Sequence, residues 1–66
     1  MDNIKVSVIL PVYNGEKYIK EQLDSLLSQS HPYLLVDVCD DGSTDDTVSI
    51  VKEYEKKDSR VRLFEN

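Results

Sequence analysis

The feature that most constrains this chain is the stretch Asp40-Asp41-Gly42-Ser43-Thr44-Asp45-Asp46-Thr47. It follows a short apolar run, Leu34-Leu35-Val36-Asp37-Val38-Cys39, and precedes a segment with helical spacing. A strand that ends in two carboxylates, turns at a glycine and enters a helix is how open α/β sheets build a ligand mouth at the carboxyl edge of their strands. Gly42 is the natural residue for a turn that needs positive φ. A phosphate-cradling loop would carry more glycines or a lysine. Neither is present, which argues against a plain dinucleotide-binding domain.

The remaining segments fit around this turn. Ile4 to Leu10 is β-branched and nearly continuous, and reads as a strand stopped by Pro11. Val12-Tyr13-Asn14-Gly15 reads as a loop, with Asn14 as a helix N-cap and Glu16 open to either a first-turn charge or a ligand contact. From Glu16 to about Gln29, residues Ile19, Leu23, Leu26 and Leu27 share one helix face. His31-Pro32 ends that helix, because the residue before proline is pushed out of the helical region. Leu34 to about Cys39 is the second strand. Ser43 and Asp46 have capping-box spacing, and Val48, Val51 and Tyr54 then form a second stripe running to about Lys57. Arg60 to Phe64 is a third strand.

The predicted fold is therefore α/β, a β-α-β-α-β half of a Rossmann-like parallel sheet with strand order 3-2-1. Right-handed crossovers stepping in one direction put both helices on one face. Alternation assigns Val6, Val8, Leu10, Leu34, Val36, Val38, Val61 and Leu63 to the helix side. Ser7, Ile9, Leu35, Asp37, Cys39, Arg62 and Phe64 fall on the other side, where nothing in the chain covers them. That bare face and the free edge of the first strand predict association between copies.

Composition removes several classes. Sixty-six residues form one small domain or a piece of a larger one, burying only about 60% of the unfolded surface. One cysteine, Cys39, rules out an internal disulfide, and no Cys/His cluster offers a structural zinc site. A net charge of −5 has the wrong sign for a generic nucleic-acid binder. There is no run near the roughly 18 apolar residues of a membrane span and no signal peptide. Cytoplasm is the default location, with membrane association through other parts of a longer protein left open.

Three motifs carry a resemblance. Val6-Ser7-Val8-Ile9-Leu10-Pro11-Val12-Tyr13-Asn14-Gly15, then Leu26-Leu27-Ser28-Gln29-Ser30, then Asp40-Asp41-Gly42-Ser43-Thr44-Asp45 resemble the amino-terminal end of the family 2 glycosyltransferases. Those enzymes have the GT-A fold and transfer a sugar from a nucleotide-activated donor. The resemblance implies that Tyr13 stacks on the base, that Asp41 reads its edge, and that Pro11 and Val12 line the pocket through their backbone. A tyrosine offers a flat surface at low entropic cost, and a carboxylate can accept from the N–H of a uracil ring. The plain alternative for Tyr13 is packing at a loop–helix junction.

Asp40 and Asp41 admit three readings: a metal site, an acid/base pair, or one structural and one ligand-binding residue. An EF-hand loop counted from Asp41 would need glycine where Asp46 stands and a carboxylate where Lys52 stands. The third reading is preferred, with Asp40 holding the loop and Asp41 facing the ligand. The candidate binding residues are thus Pro11, Val12, Tyr13, Glu16, Asp40 and Asp41. No catalytic residue and no metal ligand is assigned in this chain.

The resemblance further implies a divalent metal, Mg or Mn, whose ligands lie outside these residues, and a later acid as general base in inverting members. The expected partners are a nucleotide-sugar donor, of UDP type, and a saccharide or lipid-linked acceptor. A longer parent enzyme is expected, with this portion inactive alone. The alternatives are a self-associating nucleotide-binding module and a receiver-like regulatory domain.

Overall fold

The structure, a computed structural model, describes residues 6–28 and 34–66. Its elements run β1 (Val6–Val12), α1 (Ile19–Leu27), β2 (Leu34–Asp40), α2 (Thr47–Lys57) and β3 (Val61–Glu65). The strands form one sheet in the order β1-β2-β3, the expected order read from the other edge. Both pairings are parallel, with Val8 opposite Val36 and Val36 opposite Val61. The fold is the predicted α/β half-sheet, β-α-β-α-β with parallel strands.

Period-2 alternation decides which side chains are sheltered. Along β2, Leu34, Val36, Val38 and Asp40 are buried, while Leu35, Asp37 and Cys39 are only partly covered. The core joins Val12, Leu34, Val36, Val38 and Val61 from the strands to Ile19 and Leu23 of α1 and Val51 of α2. Both helices therefore lie on one face. Full burial of each aliphatic side chain is worth about 1.5–3 kcal/mol, so this single layer supplies most of the cohesion. The helices also meet through Tyr54, whose hydroxyl donates to Asp24 Oδ1 at 2.5 Å. Burial and that carboxylate push the Tyr54 phenol up to about 12. At the amino end of β3, Arg60 donates to Asp58 at 2.7 Å and to the Leu27 carbonyl at 3.2 Å, tying the end of α1 to the sheet.

The opposite face is open. Ile9 is 68% exposed and Phe64 47%. Asp37 and Arg62 pair across this face at 2.9 and 3.0 Å, and the guanidinium sits 5.4 Å from the Phe64 ring centroid.

Several boundaries differ from the sequence reading. β1 runs through Pro11 to Val12 instead of stopping at Pro11. In the described sheet β1 pairs on one side only, and a proline that turns its missing N–H to the open side removes no ladder bond. Ile4, Lys5, Gln29, His31 and Pro32, which figured in the predicted strand and helix ends, lie outside the described residues. α1 begins at Ile19 rather than Glu16, and Asn14 does not cap it. The position before the helix is Tyr18, without a side-chain cap. The Ser43–Asp46 capping box is not formed either, because α2 starts at Thr47 and the Ser43 hydroxyl is committed to Asp40.

Candidate functional site

The parallel register brings the ends of β1 and β2 side by side. Val12 is opposite Asp40, and the Asp41 N–H donates to the Val12 carbonyl at 3.0 Å. Tyr13 and Asp41 therefore leave the same edge of the sheet from adjacent strands. Both are exposed, Tyr13 by 58%.

Asp40 and Asp41 have different surroundings. Asp40 is only 3% exposed, on the helix side of β2. Its Oδ2 accepts from the Gly42 N–H at 3.1 Å and the Ser43 N–H at 2.9 Å, and its Oδ1 accepts from the Ser43 hydroxyl. Burial alone would raise its pKa, but these bonds outweigh burial and hold it below the ordinary carboxylate value. The turn they brace carries Gly42 at φ +85°, a conformation that suits glycine. Asp41 is exposed, and its one side-chain partner among the described residues is the Asn66 amide, which donates to Oδ1 at 3.1 Å. Asn66 is itself fixed by its N–H on the Asp40 carbonyl, 2.9 Å away.

A concavity of about 410 Å³ opens at this edge, lined by Pro11, Cys39, Asp40, Asp41, Phe64, Glu65 and Asn66. Of the six candidate residues, Pro11, Asp40 and Asp41 line it. Val12 is buried in the core at 5% exposure, and Tyr13 stands beside the concavity in the chain without lining it. Glu16 faces away, its Oε1 accepting from the Asp46 N–H at 2.8 Å at the start of α2.

Residues not singled out as site residues in the sequence join the two loops. The Asn14 N–H donates to Ser43 Oγ, and Asn14 Oδ1 accepts from the Thr44 N–H, both at 2.8 Å. Asn14 adopts φ 50°, in the left-handed region that asparagine tolerates better than most residues. The buried Thr47 hydroxyl accepts from the Gly15 N–H at 2.8 Å and donates to Asp45 Oδ1. Asp45 Oδ1 also accepts from the Thr47 N–H at 2.9 Å, and Oδ2 from the Glu16 N–H at 3.2 Å. For Asp45, as for Asp40, burial works against ionisation and the accepted hydrogen bonds prevail, leaving the pKa below the ordinary value. Gly15 is packed so closely that a Cβ would sit 3.1 Å from the Tyr18 ring.

Among the described residues, no three His, Cys, Asp or Glu side chains converge to hold a metal ion. Both oxygens of Asp40 are engaged, and Asp41 Oδ1 accepts from Asn66. No described helix is long and apolar enough to cross a membrane.

This geometry has relatives. The glycosyltransferase TuaG of Bacillus subtilis, named for teichuronic acid biosynthesis, is 47% identical over 58 residues, which cover 88% of this chain and 23% of that protein. Chondroitin synthase of Escherichia coli is 47% identical over 59 residues, 89% of this chain and 9% of the relative. Among solved structures, the S. aureus TarS fragment 1–349 in complex with UDP-GlcNAc superposes with a TM-score of 0.85 at 45% identity. That match covers 96% of this chain and 18% of the TarS chain. The chain thus spans between 9% and 24% of the length of the curated relatives it matches. Residues 7–66 match the model of Glycosyl transferase family 2, which takes in all the elements described above but the first residue of β1 and sets the receiver-like alternative aside. By sequence, and by a sheet whose two loops meet at one edge, the chain belongs to glycosyl transferase family 2.

Proposed function

We propose that this chain is the nucleoside-binding portion of an inverting glycosyltransferase that moves a sugar from a UDP-sugar to an acceptor hydroxyl. The observation that carries the reading is the placement of Tyr13 and Asp41 at the ends of adjacent parallel strands, beside a concavity at the carboxyl edge. In this reading the Tyr13 ring packs on the uracil and Asp41 accepts from its N–H, while Pro11 lines the floor. Asp40 holds the turn that presents Asp41. The solved complex of TarS with UDP-GlcNAc supports a UDP-type donor.

The rest of the chemistry belongs to a longer protein. A departing nucleoside diphosphate carries negative charge that a divalent ion, when bound, neutralises. The ligands for that ion and the general base would come from residues beyond these 66. This portion alone is then inactive. The test is calorimetric titration of UDP, with Mg²⁺ or Mn²⁺, into the full-length protein and into the 66-residue chain. Binding by the full-length protein that is lost in Tyr13→Ala supports the reading, and full-length binding indifferent to Tyr13 overturns it.

The uncovered face gives the isolated chain a second property. Ile9 and Phe64 are exposed around the neutralised Asp37–Arg62 pair, a surface suited to meeting its own copy. The 66-residue chain is expected to dimerise at high concentration in sedimentation equilibrium, and Ile9→Glu to prevent it. A strict monomer at all concentrations would show that this face does not self-associate.

A further inference from the structure

Backbone pairing between β1 and β2 stops at Val12 and Asp40, with one more bond from the Asp41 N–H. A base held between Tyr13 and Asp41 needs the two loops beyond that point to keep a fixed spacing. The side chains supply what the sheet does not. Hydrogen bonds cross between the loops in both directions: Gly15 donates to Thr47, Glu16 donates to Asp45, Asp46 donates to Glu16, and Thr44 donates to Asn14.

Thr47 is the hub of this lock. It is fully buried, and its single hydroxyl both accepts from the Gly15 N–H and donates to Asp45. A hydroxyl has one proton and two lone pairs, so both bonds can be made at once. Asp45 then carries the connection back to the first loop through the Glu16 N–H, 3.2 Å away. Neither Thr47 nor Asp45 lines the concavity.

We propose that Thr47 and Asp45 are positioning residues for the nucleoside site, fixing the loop that carries Tyr13 against the loop that carries Asp41. The proposal rests on the nucleoside reading given above. It separates two functions of the Asp40–Thr47 stretch: its first two residues present the ligand-facing carboxylate, and its last residues lock that loop to its neighbour.

The experiment uses the full-length protein and UDP, with affinities measured well below every unfolding midpoint so that folded fraction does not enter. Thr47→Val keeps shape and burial but removes both hydroxyl bonds. It is expected to weaken UDP about tenfold, the equivalent of one to two lost hydrogen bonds. Thr47→Ser, which restores the hydroxyl, should return affinity to within about twofold of wild type. Asp45→Asn, at a less buried position, serves as the second variant should Thr47→Val fold poorly, and should weaken UDP about threefold or more. A purely structural role would lower the unfolding midpoint and leave affinity alone. Wild-type affinity in both Thr47→Val and Asp45→Asn overturns the positioning role while the nucleoside site stands. Absence of UDP binding by the wild-type protein removes the site itself, and the positioning role with it.

Discussion

Asp41→Ala is expected to weaken UDP binding by about ten- to a hundredfold and to leave the unfolding free energy almost unchanged. A hydrogen bond to a charged group contributes about 1.5–3 kcal/mol, which sets that range. Asp41 is exposed and, among the described residues, has only the Asn66 amide as a side-chain partner, so little of the described fold depends on it. Asp40→Ala should behave differently although the residues are adjacent. It strands the Gly42 and Ser43 N–H groups and the Ser43 hydroxyl beside a site that is 3% exposed. The expected loss is about 3 kcal/mol of stability, with UDP affinity falling as a consequence of the disordered turn. The pH dependence follows from the same contacts. A carboxyl whose folded pKa lies below its ordinary value of 3.8 adds stability above that value and loses it as acid drives pH through the folded pKa. Below about pH 4 the wild type should therefore lose stability more steeply than Asp40→Ala in denaturant titrations. Equal ligand and stability losses for the two alanine variants would overturn the division of roles between them.

The sheet was legible because its signal is local and repeated. Val6, Val8 and Leu10, then Leu34, Val36 and Val38, alternate with residues that the structure leaves partly or wholly exposed. A period of two needs no knowledge of the partner strand, and the crossover rule then supplies the order. The helix starts were not legible, because their polar residues answer to partners about thirty positions away. Asn14 has the composition of a cap, yet it serves Ser43 and Thr44 on the neighbouring loop. Ser43 has the spacing of a capping box, yet its Oγ accepts from the Asn14 N–H on the neighbouring loop. Asp45 stands two residues before α2, yet its carboxylate also accepts from the Glu16 N–H on the other loop. In each case the local motif was real, and a tertiary acceptor or donor outcompeted it.

The concavity shows the same division. Pro11, Asp40 and Asp41 could be placed at its rim from strand ends alone, since adjacent parallel strands finish together. Its third wall is formed by Phe64 and Glu65 of β3 and by Asn66, the residue after it. Phe64 was assigned to the bare face, and with β3 beside β2 the end of that strand had to fall next to Cys39 and Asp40. The pairing of Cys39 with Phe64 and Asp40 with Glu65 is the geometric signal that finds this wall. What alternation cannot reveal is that Asn66 turns back to hold Asp41.

Leu23→Ala should be the most damaging single truncation in the 66-residue chain, because α1 has so little else to hold it. The helix is nine residues long, and its only fully buried side chains are Ile19 and Leu23. Isolated helices shorter than about 12–15 residues are marginal in water, so docking on the sheet stabilises α1 more than its own backbone does. Truncating a buried leucine costs about 2–5 kcal/mol. At roughly 0.05–0.15 kcal/mol per residue, a chain of this length has only about 3–10 kcal/mol in all. The variant should thus be largely unfolded, or its midpoint lowered by tens of degrees, in thermal melts followed by circular dichroism. Ile9→Ala removes as large a side chain from the opposite face, where it is 68% exposed, and should cost no more than about 0.5 kcal/mol under monomeric conditions. The contrast tests the assignment of faces directly. If Ile9→Ala proves as costly as Leu23→Ala, the helices do not lie where the alternation puts them, and the loop bearing Tyr13 is not anchored by α1.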